Sequence, residues 1–247
     1  MLQSQLRAHG SGGAVQAPRR GAAPAARARR VRAAAAVQLP EGLGLSALRL
    51  AKPTLAEIEA LVAGEFKGRE LNHPHAGASA TAPDLPPAVA NGGFMLTTNR
   101  RRIGTGKAAY DSAVKAVKRW EQLQLSWNFS TTPALEAGAR ICSATQTIVP
   151  WSVLPAQVVY AREEDADFGP GDKGRRFSVG LASLSGHLLA GEERFAVEQR
   201  ADGSVWFDVF LFSKPNTLLA WLSLPVIKLM QIRYVNDAIT AVEAAIK

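Results

Sequence analysis

The 247-residue chain contains a single cysteine, Cys142. No intrachain disulfide can form, and no cysteine-based zinc site can be assembled. Acidic residues are missing from the first forty positions, the first carboxylate being Glu41. Long apolar runs are missing too. Leu218–Ile227 carries no charge before Lys228, but that is about half of the ~20 residues a helix needs to cross a ~30 Å hydrocarbon core, so a core or cavity-capping helix is expected there. Gly-x-Ser-x-Gly does not occur, and Cys142 has no histidine near it in sequence, so neither a serine nor a cysteine nucleophile is indicated.

Charge is present, but unevenly. Lys and Arg number 29 against 21 Asp and Glu, a net of +8. Seven of the basic residues (Arg7, Arg19, Arg20, Arg27, Arg29, Arg30 and Arg32) fall within residues 1–40, which leaves 22 basic and 21 acidic residues in 41–247, a net of +1. A nearly neutral body does not carry the electrostatic footprint of a nucleic-acid binder. Rich in Arg, Ala and Gly, without acid and without the apolar core of a secretory signal, residues 1–37 are expected to form an organelle transit peptide processed near Val31–Ala36. The expected destination is the chloroplast, with the mitochondrion second; the alternative is a disordered basic tail that binds RNA or anionic lipid.

Three segments are expected: 1–37, then 38–93 with a short helix and a Pro/Gly-rich stretch, then a main body over 94–247. Thr54 with Glu57 three residues on is a capping box that opens a helix near Pro53–Val62. Between Lys107 and Leu123, the positions of Tyr110, Ala113, Val114, Val117 and Trp120 put one apolar face on a second helix. From Leu125 to Phe212 the period shortens to strands at about Ser126–Ser130, Gly138–Thr147, Ala156–Glu163, Arg176–Leu184, Glu192–Arg200 and Val205–Ser213. Ala201-Asp202-Gly203 marks a hairpin between the last two, and short connections throughout predict an antiparallel sheet. Leu222, Val226, Leu229, Ile232, Val235, Ile239, Val242 and Ile246 advance by steps of three and four, predicting one core-facing stripe on a long C-terminal helix that Pro225 kinks or starts anew. The plan is α+β: an antiparallel sheet of about six strands wrapped on that helix, with a concave apolar space between them.

Several blocks resemble a known family. Leu71-Asn72-His73-Pro74-His75-Ala76-Gly77-Ala78-Ser79, Ile103-Gly104-Thr105-Gly106, Trp120 and Trp127 look like the early blocks of the plant and bacterial family catalogued as domain of unknown function nineteen-ninety. Pro150-Trp151-Ser152-Val153-Leu154-Pro155, Gly186-His187-Leu188-Leu189-Ala190-Gly191-Glu192-Glu193-Arg194-Phe195 and Phe212-Ser213-Lys214-Pro215 are similar to its plant branch. The resemblance spans about Leu71 to Ile246. It implies a helix-grip fold akin to START and birch-pollen-allergen proteins, and for the plant branch an association with the chloroplast outer envelope and a channel role. His73 and His75 stand where bacterial members often have Tyr and Glu, and Leu181-Ala182-Ser183-Leu184 stands for a usual Tyr-Gly-Thr-Leu.

The sharpest chemical cluster is His187 with Glu192 and Glu193. Strand alternation puts Glu193 on the face of Phe195 and Val197, where a carboxylate needs a partner, with His187 or Lys214 as candidates. The pair is either catalytic acid/base machinery, a polar anchor for a ligand, or a buried clasp. Trp151, Tyr160, Phe207, Ser213, Lys214 and Trp221 join His187 and Glu193 as expected ligand-binding residues, the ligand being an apolar small molecule or lipid. Gly104, Gly106 and Lys107 precede a helix N-terminus and are candidates for holding an anion, although Arg101 and Ala108 break the P-loop pattern. Arg100-Arg101-Arg102 is the one basic run of the body, either a solvated face or a contact for anionic headgroups. His73-Pro74-His75 is a weak metal motif, and no cofactor is expected.

Overall fold

The computed structural model describes residue 42 and residues 44–147 and 150–246. The expected transit peptide and its processing region lie outside them. In chain order the elements are β1 (Leu48–Arg49), α1 (Leu55–Ala63), α2 (Pro87–Ala90), β2 (Met95–Thr105), α3 (Gly106–Lys118), β3 (Asn128–Ser130), β4 (Arg140–Gln146), β5 (Trp151–Asp167), β6 (Lys173–Ser183), β7 (Leu189–Gln199), β8 (Ser204–Pro215), α4 (Leu218–Leu222) and α5 (Leu224–Ala245).

The strands form one antiparallel sheet in the order β2-β8-β7-β6-β5-β4-β3. β1 takes the flank of β5 at Trp151 and Ser152, beyond the stretch that β6 pairs. The α+β expectation holds, with eight strands instead of about six. β1 is too short to read from sequence, and β2 runs through Thr97-Thr98-Asn99-Arg100-Arg101-Arg102, a polar edge strand whose alternation carries no hydrophobic signal. Bulges at Ile103 in β2 and Val159 in β5 break the register and increase the local twist. Thr54 caps α1, its side chain accepting from the Glu57 amide at 3.2 Å while the Glu57 carboxylate accepts from the Thr54 amide at 2.6 Å.

Two apolar layers sandwich the sheet. On one face, Phe177, Val179, Phe195, Val197, Phe207 and Val209 pack against Tyr110, Val114 and Val117 of α3 and against Val235, Ile239 and Val242 of α5. This is the helix-grip arrangement, a sheet closed over a long C-terminal helix. The opposite face is covered by the chain before β2. Ile58 and Phe66 pack on Cys142, Ala144, Trp151 and Val153, while Ala78, Ala82 and Val89 pack on Phe210 and Phe212.

Pro225 sits in the first turn of α5 and starts it as a second helix, as its fixed φ favours. The expected stripe holds only in the second half of α5, where Val235, Ile239 and Val242 are buried; Leu222, Leu229 and Ile232 are exposed. In the first half the inward side consists of Ile227, Met230, Gln231 and Tyr234. A stripe drawn through steps of three and four therefore crosses from the outer side to the inner side along one helix.

The Pro/Gly-rich stretch is fastened to the sheet by a buried carboxylate. Glu192 accepts from the Gly77 amide at 2.6 Å, from the Ser79 amide at 2.8 Å and from the Ser79 hydroxyl, which also shares a hydrogen bond with Tyr160 at 2.7 Å. Arg194, two residues on and on the same face, donates to the Ala82 carbonyl at 2.9 Å and pairs with Asp208 at 2.7 Å. Leaving buried donors without an acceptor costs about 1–3 kcal/mol each. Glu192→Ala is therefore expected to lower unfolding stability by at least ~3 kcal/mol in urea titrations and to expose residues 72–94 to protease before the sheet melts. Glu192→Gln, which keeps an acceptor, is expected to lose less.

Candidate functional site

Inward residues change character along the sheet. Toward the α3 end they are Phe and Val; toward the other end they become Leu211 and Ser213 on β8, Glu193 on β7, Leu181 and Ser183 on β6, Ser152 and Leu154 on β5, and Ser143 and Thr145 on β4. The first half of α5 spans this end with Ile227, Met230, Gln231 and Tyr234, and a cavity of about 200 Å³ lies between. Its wall mixes Trp127, Ile141, Leu154, Leu181, Leu211 and Met230 with hydroxyls, amides, His187 and Glu193, and among the described residues it contains neither lysine nor arginine.

Glu193 does face this space, but its partner is neither His187 nor Lys214. The group that acts on its carboxylate is the Tyr234 hydroxyl, which favours the charged form, and burial outweighs that effect to push the Glu193 pKa up to about 7. Burial and the facing carboxylate together hold the Tyr234 phenol well above its usual range. His187 sits in the β6–β7 turn, where its Nδ1 accepts from the Leu189 amide at 2.9 Å. Burial lowers its pKa to about 4, so the ring is neutral near pH 7 and its remaining proton is on Nε2. Gly186 shapes that turn with φ of 91°, and a Cβ there would collide with Arg69, whose guanidinium donates to the Ser185 carbonyl at 2.7 Å.

Of the residues expected to bind a ligand, His187, Glu193 and Ser213 line the cavity. Ser213 accepts from Gln231 Nε2 at 2.8 Å, tying β8 to α5. The others lie elsewhere, for reasons of strand phase. Trp151 alternates with the inward Ser152 and packs on the outer face beside Phe129 and Lys52. Tyr160 is turned outward by the Val159 bulge and lies over Gly180, whose added Cβ would meet its ring at 2.3 Å. Phe207 is sealed in the core against Phe195. Lys214 follows the inward Ser213 and stacks over Phe94 on the outer face. Trp221 is on the outward side of α4.

The anion-site reading of Gly104, Gly106 and Lys107 is corrected as well. The Gly106 amide is spent on the Gly203 carbonyl at 2.7 Å, and Lys107 pairs with Asp111 one turn along α3. The arginine run is not one patch, since alternation along β2 separates it. Arg100 pairs with Glu198 at 2.8 Å and stacks on Trp206, Arg101 reaches Glu243 of α5 at 3.3 Å, and Arg102 donates to Thr105 at 2.9 Å. Both ring nitrogens of His73 are engaged, Nε2 with the Gly191 carbonyl at 2.8 Å and Nδ1 with the His75 amide at 3.2 Å, so the His-Pro-His motif anchors backbone. No group of three or more potential metal ligands occurs among the described residues.

Tyr234, Gln231, Asn128 and Trp127 are cavity residues that sequence reasoning missed. Ile227, Met230, Gln231 and Tyr234 share their own three-and-four spacing, a signal masked by the larger aliphatic residues of the outward side. Trp127 stands edge-on to Tyr234 at 6.4 Å and donates to Asp237 at 2.8 Å, which locks β3 to α5 at the cavity wall.

A sheet gripping a C-terminal helix around a partly polar cavity defines this protein as a helix-grip protein. The chain belongs to the family described as Domain of unknown function (DUF1990), whose model matches residues 73–241. It is 36% identical over 153 residues to the UPF0548 protein At2g17695 of Arabidopsis thaliana, covering 61% of this chain and 72% of that one. A UPF0548 protein of Deinococcus radiodurans is 30% identical over 178 residues, 67% and 81% of the two chains; one of Dictyostelium discoideum is 27% identical over 165 residues, 63% and 73%. Among solved structures, the hypothetical protein jhp0584 of Helicobacter pylori overlaps 63% of this chain and 92% of its own at a TM-score of 0.38 with 11% identity. Ara h 8.0201 overlaps 62% and 98% at 0.37, also with 11% identity.

Glu193 and His187 act in opposite directions on stability. Glu193 is raised from 4.5 to about 7, so its favourable contribution is complete below pH 4.5 and is lost as pH rises through 7. His187 is lowered from 6.5 to about 4, so its contribution is complete above pH 6.5 and is lost as pH falls through 4. Glu193→Gln is therefore expected to match the parent in stability near pH 4.5 and to exceed it by on the order of 3 kcal/mol above pH 8. Urea titrations across that range check this; a difference that does not change with pH contradicts the assigned burial.

Proposed function

We propose that this protein binds a small, mainly apolar molecule in the cavity between the sheet and α5, and that the molecule is neutral or basic, not acidic. The carrying observation is a partly open space with no lysine or arginine among the described residues of its wall, a neutral imidazole, and the carboxyl group of Glu193 turned into it. A carboxylate or phosphate ligand would be buried without a cation and beside Glu193, which is unfavourable by several kcal/mol. A neutral ligand finds a donor at His187 Nε2 and acceptors among the hydroxyls; an amine finds Glu193. Size narrows the class further. A dry cavity of about 150 Å³ admits benzene, so about 200 Å³ suits a single-ring molecule and not a whole diacyl lipid.

Ligand-observed NMR with benzyl alcohol, benzylamine and benzoate tests this directly. The first two are expected to bind and benzoate to be excluded, while Ala156→Leu, which fills the cavity wall, should weaken binding at least about tenfold. Equal binding of benzoate, or binding unaffected by the filled cavity, contradicts the reading. Native mass spectrometry of freshly purified protein then identifies any ligand carried from the cell.

One observation favours a catalytic variant of the same reading. A carboxyl that titrates near pH 7 at the cavity wall can exchange a proton with whatever is bound, and Glu193 is the group so placed. His187, neutral down to about pH 4, would orient and not protonate. A channel role has less support, since the gripping face of the sheet is packed with side chains and β2 and β3 stand at two separate edges. We propose further that the protein works in the chloroplast after import; the acid-free, arginine-rich start of the chain supports this. Residues 1–40 fused to a fluorescent protein are expected to enter plastids of plant cells, and diffuse cytosolic fluorescence would contradict it.

A further inference from the structure

We propose that the outer side of α4 and the first half of α5 docks on an anionic lipid bilayer. Leu218, Trp221, Leu222, Pro225, Leu229 and Ile232 are exposed and follow one another by three, one, three, four and three positions, the spacing of one helical side. Leu222 is 75% exposed, Leu229 69%, Ile232 54% and Trp221 48%. Single exposed leucines are ordinary on protein surfaces. Five large apolar side chains on one side of a fifteen-residue stretch are not, and such patches mark protein or membrane contacts.

Charge decides between those two. From Val209 to Asn236 there is no acidic residue, whereas Lys228 and Arg233 of α5 lie within that span, Arg233 reaching Asp237 one turn on at 3.3 Å. An apolar side with a half-exposed tryptophan, with Lys228 and Arg233 at its margins and no acid between Leu218 and Ile232, fits an interfacial helix on anionic headgroups. The stretch lies on a membrane and does not cross it, as none of the described helices is long and apolar enough to do so. Position adds a further argument, which rests on the cavity-binding reading above. The same turns that present Leu229 and Ile232 outward present Ile227, Met230 and Tyr234 to the cavity. Docking here sets the cavity's helical wall against hydrocarbon, where an apolar ligand partitions.

The test uses the full chain with phosphatidylcholine vesicles carrying a minority of phosphatidylglycerol, and reads Trp221 itself because the arginine-rich start can also attach to anionic lipid. Vesicles are expected to shift the tryptophan emission to the blue, brominated acyl chains to quench it, and Trp221→Phe to abolish both effects. Leu222→Ser combined with Leu229→Ser, both at exposed positions, should lower vesicle partitioning by about tenfold or more without moving the melting temperature. The double variant should bind benzyl alcohol as the parent does, so failure of docking and failure of cavity binding are read separately. Vesicle attachment without a change in Trp221 emission would overturn the proposal. So would concentration-dependent dimerisation that buries Trp221 without lipid, which would assign the surface to a second copy of the chain.

Discussion

Two glutamates side by side on β7 organise this molecule. Because successive side chains in a strand point to opposite faces, Glu192 and Glu193 are sent in opposite directions from one point in the sheet. Glu192 holds the chain before β2 against the outer face through the Gly77 and Ser79 amides. Glu193 enters the space under α5 and meets Tyr234. Each is lifted above the ordinary carboxyl range by burial, and the difference between them lies in what answers that cost. Three donors converge on Glu192, whereas Glu193 has one phenol and an open cavity. The first is a clasp; the second is a group with hydrogen-bonding capacity to spare.

The cavity exists because the inward-facing residues weaken as packing material toward one end of the sheet. Phenylalanine and valine fill the grip where α3 and the second half of α5 press on it. Serines, a threonine and Glu193 take over at the other end, where small polar side chains leave volume that the first half of α5 covers without filling. A change in the inward side of one helix accomplishes both tasks. Val235, Ile239 and Val242 complete the core, while Ile227, Met230, Gln231 and Tyr234 roof the space.

Much of the fold was legible in the residues. The capping box at Thr54, the hairpin at Ala201-Asp202-Gly203, the second helix begun at Pro225 and the strands from Gly138 to Ser213 are local signals that tertiary packing left intact. β2 was not legible, because Thr97 to Arg102 has no apolar alternation and is a strand only through its pairing with β8. In the cavity, the position of Glu193 followed from alternation with Phe195 and Val197, but its partner did not. Tyr234 comes from a helix 41 residues further along the chain, and nothing local ties the two. The aromatic candidates failed for a related reason: Trp151 and Tyr160 follow strand phase and a bulge, which hydrophobicity alone does not reveal.

The central claim is that Glu193 lies at the wall of a cavity that receives a ligand. A carbon-13 NMR titration of the Glu193 side-chain carboxyl, assigned through Glu193→Gln and repeated with saturating benzylamine, tests it most directly. The account predicts a midpoint of about 7 in the free protein and a downward shift when the amine is bound, since an adjacent cation favours the carboxylate. A midpoint at the ordinary value of 4.5, unchanged by the amine, would contradict it.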